Sequence, residues 1–302
     1  MSLIQARGLV KKFGELIAVA GIDFDIHEGE CFGFLGPNGA GKTSTMRMIY
    51  GASPVTAGEV VVDGKDVRHS TKEIKAIVGV VPQENNLDPD LTVLQNLLVY
   101  ARYFSIPGAV ARESAREVLD LFQLWDRRDS HTETLSSGMK RRLVIARGLI
   151  NQPKVLILDE PTTGLDPQAR HLVWQKLRYL KSQGVTLVLT THYMEEAAHL
   201  CDRLAIMDKG RILVTGSPAD VVSQYVGQEV LELQPRPEDR EAVLSWLKQG
   251  GFDTEEVEDI LFVFSRDSSS LPEPPGSFVK LVRRRATLED VFLRITGRAL
   301  RE

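Results

Sequence analysis

Gly36-Pro37-Asn38-Gly39-Ala40-Gly41-Lys42-Thr43 fits the pattern G-x-x-x-x-G-K-[ST]. A loop of this kind suits a polyphosphate. Its glycines let backbone N–H groups turn into a concave nest around phosphate oxygens. A helix opening at its end adds a partial positive charge. Lys42 can reach the outer phosphates, and the hydroxyl of Thr43, next to Ser44, can ligate Mg²⁺. A second stretch, residues 155–160, is an apolar run ending in two carboxylates, Asp159 and Glu160. Ligands of parallel α/β sheets bind at the carboxyl ends of strands. Asp159 is therefore placed to hold Mg²⁺ through water, and Glu160 to polarise an attacking water. Either stretch alone has a plain reading, as a turn or a strand-end cap. The two together point to phosphate chemistry.

Strands and helices must present these groups. Residues 31–35, 155–158 and 185–189 are continuous apolar runs. Runs of that kind fit strands buried on both faces, as in a parallel sheet covered by helices. Helical stretches are predicted over 42–50, 94–103, 109–122, 138–150 and 169–181. Shorter alternating segments at 4–10 and 22–26, and a hairpin over 58–67 with the turn Asp63-Gly64, predict a small antiparallel sheet beside the parallel one.

Composition shifts after Gly216-Ser217-Pro218. From residue 228 onward there are 15 acidic and 11 basic residues, whereas the first 227 are balanced. This tail carries a Pro-rich loop at 271–276. It ends in an amphipathic helix over 287–296, with Thr287 as N-cap and Glu289 and Asp290 in the first turn. Two domains are expected: residues 1–220, and a small α+β module over 228–302.

The 302 residues carry a formal charge of −4 and are 43% hydrophobic and 26% charged. That balance belongs to a globular chain and gives no basic surface for nucleic acid. No apolar run approaches the ~18 residues of a bilayer span, and no signal core opens the sequence. The cysteines, Cys31 and Cys201, form no metal-binding spacing.

Leu135-Ser136-Ser137-Gly138-Met139, opening the predicted helix, adds a third motif. With the phosphate loop and the strand-end carboxylates, it resembles the signature of ATP-binding cassette (ABC) ATPases. Gln83 resembles that family's Q-loop glutamine, Asp166 in Gly164-Leu165-Asp166 its D-loop, and His192 its switch histidine. Phe13 matches the aromatic that stacks on adenine. The resemblance covers residues 1 to about 220 and implies a P-loop NTPase cassette. Such a cassette has a RecA-like parallel sheet core, an antiparallel β subdomain and a helical signature subdomain. It further implies an ATP- and Mg²⁺-dependent ATPase in which two copies pair head to tail. Each ATP would lie between the phosphate loop of one copy and Ser136, Ser137 and Gly138 of the other. Glu160 would be the base, His192 would contact the γ-phosphate, and Thr43, Gln83 and Asp159 would serve the metal.

A single cassette of this size resembles the ATPase subunits of transporters. Ser-Gly-Met-Lys-Arg-Arg, residues 161–174, Cys201-Asp-Arg-Leu204 and the ending Leu288-Glu-Asp-Val-Phe-Leu293 with Thr296-Gly297-Arg298 resemble exporters of the ABC-2 class. Nodulation-factor exporter ATPases resemble it more closely than daunorubicin-resistance ATPases do. This implies a separate integral membrane permease and a peripheral position on the cytoplasmic face of the bacterial inner membrane. The alternatives are a nucleotide-dependent tethering protein and a small-molecule kinase. The latter leaves the signature and His192 unexplained.

Two features depart from the family. Ser137 stands where the usual LSGGQ signature has a glycine, and Met139 removes a polar amide. Gln95 stands where many relatives carry glutamate. Arg283-Arg-Arg285 reads as a solvated charged segment in preference to a lipid contact. Ser137→Gly is expected to leave ATP affinity unchanged and ATPase activity equal or higher. Steady-state phosphate release checks this, and a severe loss would mark the serine as required.

Overall fold

The computed structural model describes residues 2–264, 271 and 273–296. The chain divides into two compact units, Met1–Ile212 and Leu213–Glu302.

The first unit opens with β1 (Ser2–Phe13) and β2 (Leu16–His27), followed by β3 (Cys31–Leu35) and α1 (Lys42–Ile49). The hairpin strands β4 (Ala57–Val62) and β5 (Lys65–Asp66) come next, then α2 (Thr71–Ile77) and β6 (Val78–Val81). Three helices follow: α3 (Val93–Tyr103), α4 (Gly108–Leu121) and α5 (Ser137–Gly148). The unit continues through β7 (Val155–Asp159), α6 (Pro167–Ser182), β8 (Thr186–Thr191), α7 (Met194–Leu200) and β9 (Arg203–Asp208), and ends within β10 (Arg211–Gly216).

Strands β9, β3, β8, β7 and β6 lie side by side in that order and are mutually parallel. β3 and β8 are buried along their whole length and β7 along all but its last residue. The continuous apolar runs come from this double-sided burial. The antiparallel sheet runs β2-β1-β4-β5. Asp63 and Gly64 both take positive φ, 51° and 74°, as a two-residue turn matching the strand twist requires. Phe24 of β2 meets Phe34 edge-on at 5.1 Å, and Phe34 meets Phe32 at 5.2 Å. One aromatic cluster thus ties the antiparallel sheet to the parallel one. Helices α3, α4 and α5 pack on one another as a separate layer.

Gln95 has a local task. Its side chain accepts from Thr92 N–H at 2.9 Å, while the Thr92 hydroxyl accepts from Gln95 N–H, closing a capping box at the start of α3. Glutamine and glutamate both fill this role, which accounts for the departure from the family's glutamate.

The second unit holds α8 (Pro218–Tyr225), β11 (Glu229–Pro235), α9 (Arg240–Gly250), β12 (Asp253–Val257), β13 (Ile260–Phe264), β14 (Phe278–Arg285) and α10 (Leu288–Thr296). Its sheet is antiparallel, in the order β12-β13-β11-β14. Leu231, Leu233, Leu261 and Val263 bury one face against Val243 and Leu247 of α9. α8 packs on α10, so the division falls inside β10, ahead of the sequence boundary at residue 220. Of the expected C-terminal features, Pro272, Gly297 and Arg298 lie outside the described residues.

Thr287 stands at the N-cap position of α10, its carbonyl accepting from Val291 N–H at 3.3 Å. Its N–H and hydroxyl both donate to the Asp290 carboxylate, at 2.8 and 3.0 Å, the N3 half of a capping box. The expectation for residues 283–285 is corrected: Arg284 is not simply solvated. It donates from both Nη atoms to Asp290 at 2.7 Å and from Nε to Glu232 at 2.6 Å, while Lys280 reaches the other Glu232 oxygen. A fully buried Asp290 needs such a partner, and the strand register brings Arg284 to it.

Burial alone would raise the Glu232 carboxyl, but hydrogen bonds and charge from Lys280 and Arg284 outweigh it and hold it below the usual range. A carboxyl depressed on folding stabilises above its unfolded pKa and loses that contribution as pH falls through its folded value. Glu232→Gln is expected to destabilise the protein by about 1–2 kcal/mol at neutral pH. The difference should vanish in acid, as denaturant melts across pH would measure.

Candidate nucleotide site

The phosphate loop links β3 to α1, and backbone crowding explains its glycines. A Cβ on Gly36 would come within 2.2 Å of Met207 O, and one on Gly41 within 2.4 Å of Ala18 O. Gly41 also takes φ 102°, the left-handed residue from which α1 starts. The loop is anchored by Gly36 N–H to Thr191 O at 3.3 Å and by Gly210 N–H to Ala40 O at 3.0 Å. Strands β3 and β8 are adjacent and parallel, so this loop and the end of β8 share one edge of the sheet.

The Lys42 side chain is buried, and its ammonium donates to Gly36 O at 2.7 Å and Pro37 O at 3.1 Å. Burial lowers its pKa, while the charges of Glu160 and Asp159 oppose the shift. The Thr43 hydroxyl donates to Asp159 Oδ1 at 3.0 Å, and the Thr190 hydroxyl donates to the same oxygen. A hydroxyl and a carboxylate oxygen are the hard donors that suit Mg²⁺, which takes one or two protein carboxylates beside substrate phosphates. Among the described residues there is no larger group of His, Cys, Asp and Glu able to hold a metal.

Glu160 is the meeting point of the site and is only 7% exposed. Its Oε2 accepts from Gln83 Nε2 at 3.3 Å and from the Thr163 hydroxyl at 3.1 Å. Its Oε1 lies 3.2 Å from His192 Nδ1 and 3.9 Å from Lys42 Nζ. The backbone at Glu160 takes φ 46°, left-handed for a residue with a side chain. Both the carbonyl and the hydroxyl of Thr190 accept its N–H, each at 3.1 Å. Strain of this kind persists only where the surroundings hold it. Here β8 holds it.

The remaining expected residues lie apart from this cluster. Ser136 caps α5, accepting from Met139 N–H at 3.3 Å, with Ser137 and Gly138 in the first turn. Asp166 caps α6, accepting from Ala169 N–H at 2.8 Å. Ser136, Gly138, Met139, Arg142, Asp166 and Ala169 line one open groove of about 670 Å³. Ser136, Ser137 and Gly138 donate no hydrogen bond to the phosphate loop among the described residues. Phe13 ends β1 with its ring 53% exposed and Lys11 Nζ 4.7 Å over its face, so it is not a strand-core residue.

Sequence reasoning missed several supporting groups. Thr190 bridges Asp159 and the Glu160 backbone. Glu196 of α7, fully buried, accepts from Thr162 at 2.7 Å and from Trp174 Nε1 at 3.0 Å. Burial raises its carboxyl against the hydrogen bonds it receives. Arg141, quoted above only as part of a motif, bridges the segments after β6 and at the end of β7. None of these carries a local signal, since each acts on a segment remote in sequence.

This fold and this convergence of lysine, glutamine, carboxylate and histidine define a P-loop ATPase. The ABC transporter family profile matches residues 19–163. The chain is 42% identical to the Nod factor export ATP-binding protein I of Ralstonia nicotianae, with 99% of this chain and 95% of that protein aligned. It is 43% identical to the protein of the same name from Burkholderia lata, over 99% and 98%. Among solved structures it resembles the dimeric post-hydrolysis ATP-binding cassette MJ0796 bound to ADP and Pi. That match has TM-score 0.65 and 28% identity, over 71% of this chain and 98% of the other. It also resembles cbiO1 of Clostridium perfringens, with TM-score 0.68 and 26% identity, over 83% and 98%. The chain belongs to the ABC transporter family as an ATP-binding subunit, and it is an ATPase.

Thr190→Val removes the donor to Asp159 and one acceptor of the Glu160 N–H. It is expected to lower kcat about tenfold, equivalent to roughly 1.4 kcal/mol, with KM for ATP nearly unchanged. Phosphate-release kinetics measure both.

Proposed function

We propose that this chain energises an ABC-2 type exporter. Two copies pair head to tail around two Mg-ATP, and a separate integral membrane permease carries the cargo. The observation that carries the reading is the convergence of Lys42, Gln83 and His192 on the buried Glu160 carboxylate. The exporter assignment draws on relatives of nearly full length whose names speak of Nod factor export. No helix among the described residues is long and apolar enough to cross a membrane. A peripheral position on the cytoplasmic face of the inner membrane follows from the reading.

Each residue then has a task. Phe13 stacks on adenine. Backbone N–H groups of residues 36–44 and the α1 N-terminus cradle the phosphates, and Lys42 neutralises the outer two. The oxygens of Thr43, Asp159 and Gln83 are the donors for Mg²⁺, which when bound draws charge from the phosphate oxygens. Glu160 takes a proton from the attacking water as its oxygen bonds to the γ-phosphorus and the bond to ADP breaks. His192 donates to the γ-phosphate and orients that water. Ser136, Ser137 and Gly138, on the start of the 12-residue helix α5, offer N–H groups and a helix dipole to the partner copy's nucleotide. Asp166 faces the same groove. The second unit, 228–302 in the sequence reading, is an accessory module.

Glu160→Gln is expected to bind ATP, to lose turnover by about 10²-fold or more, and to form a dimer only with Mg-ATP. Size exclusion with light scattering reads the mass, alongside wild-type ATPase. A variant that hydrolyses at near wild-type rate would remove Glu160 from the role of base.

A further inference from the structure

Arg141 sits in α5, one turn after Gly138, and is only 3% exposed. Its guanidinium has five N–H donors, and all five groups of contacts are backbone carbonyls. Nε donates to Pro161 O at 2.6 Å. Nη1 donates to Pro82 O at 2.5 Å and Gln83 O at 3.1 Å. Nη2 donates to Asp159 O at 2.9 Å and Glu160 O at 3.0 Å. Among the described residues no carboxylate pairs with it directly. Burial lowers its pKa to about 10 while the charges of Glu196, Asp159 and Glu160 oppose that shift, so the cation persists at neutral pH.

These five carbonyls belong to the two segments that bring Gln83 and Glu160 together. Pro82 and Gln83 follow β6, while Asp159 ends β7 and Glu160 and Pro161 follow it. β6 and β7 are parallel neighbours up to the pair Val81 and Leu158, after which the ladder ends and both backbones turn away. Their carbonyls then need donors. The turn at Glu160 is left-handed and needs support from outside β7. A planar fork satisfies several carbonyls in fixed geometry, whereas a lysine ammonium is one point charge with three donors.

Resting on the reading of Glu160 as base, we propose that Arg141 is a positioning residue: its guanidinium clamps the Gln83 and Glu160 backbones so that the two side chains meet at the γ-phosphate. It acts through these backbones, which its five contacts hold. Because it rides on the helix that opens with Ser136, the clamp also ties the signature segment to its own copy's carboxylate.

The test compares wild type with Arg141→Lys and Arg141→Ala, using Glu160→Gln as control. The lysine keeps stem and charge, so the fold is retained, while the fork is lost. The expected result is a kcat reduced on the order of tenfold or more with KM for ATP within about twofold, since the phosphate loop is untouched. Millimolar guanidinium, far below denaturing levels, should restore part of the lost kcat in Arg141→Ala and none in Glu160→Gln. Arg141→Lys turning over like wild type would overturn the proposal, as would a KM rising in step with the fall in kcat. If the variants fail to fold, the Arg141 Nε–H in wild type decides. Exchange slowed well below the solvent rate supports the clamp, and exchange at the solvent rate overturns it. An active Glu160→Gln would instead sink the reading of the base, whatever Arg141 does.

Discussion

A buried carboxylate at the end of a buried strand governs this cassette. Glu160 sits where β7 leaves the sheet, nearly sealed from water, on a left-handed turn. An isolated charge there would cost several kcal/mol. The site answers with Lys42, Gln83, His192 and Thr163 around the side chain, and with Thr190 and Arg141 on the backbone. The parallel order β3-β8-β7-β6 brings the phosphate loop, the end of β8, the carboxylates and Gln83 to one edge. Each neighbour then contributes one group to the compensation.

The same geometry divides the labour of support. The side chains gathered at Glu160 come from four separate segments. Their alignment therefore depends on backbone contacts between loops more than on any one loop's own conformation. Thr190 and the guanidinium of Arg141 supply those contacts. The signature segment is different. Ser136, Gly138 and Asp166 share a groove and, among the described residues, make no hydrogen bond to the phosphate loop of their own chain, a layout that suits the proposed pairing of two copies. Ser137 is exposed at the first turn of α5.

The second unit obeys the same rule of compensated burial on a smaller scale. Asp290 is as buried as the apolar residues beside it, and Arg284 bridges it to Glu232. A run of three arginines that reads as surface in the sequence is therefore divided by the strand's alternation. Arg284 turns inward to the carboxylates, while Arg285 stays exposed. Alternation alone could not predict this, because the acidic partners lie on β11 and α10.

The sequence by itself determined the chemistry and the frame. The Gly36–Thr43 pattern marks a phosphate loop. Apolar runs of four or five residues fit doubly buried strands, and a carboxylate pair after such a strand lies at a sheet edge. These signals are local, so spacing alone exposes them. The family follows from the order of the motifs. The tertiary structure decided how the groups are held. Thr190 on Asp159, Glu196 under Thr162 and Trp174, Arg141 across β6 and β7, and Arg284 between Glu232 and Asp290 all join residues 6 to 59 apart. A hydrogen bond between remote segments leaves no periodicity in the chain. Only the closing of the sheet brings donor and acceptor within reach.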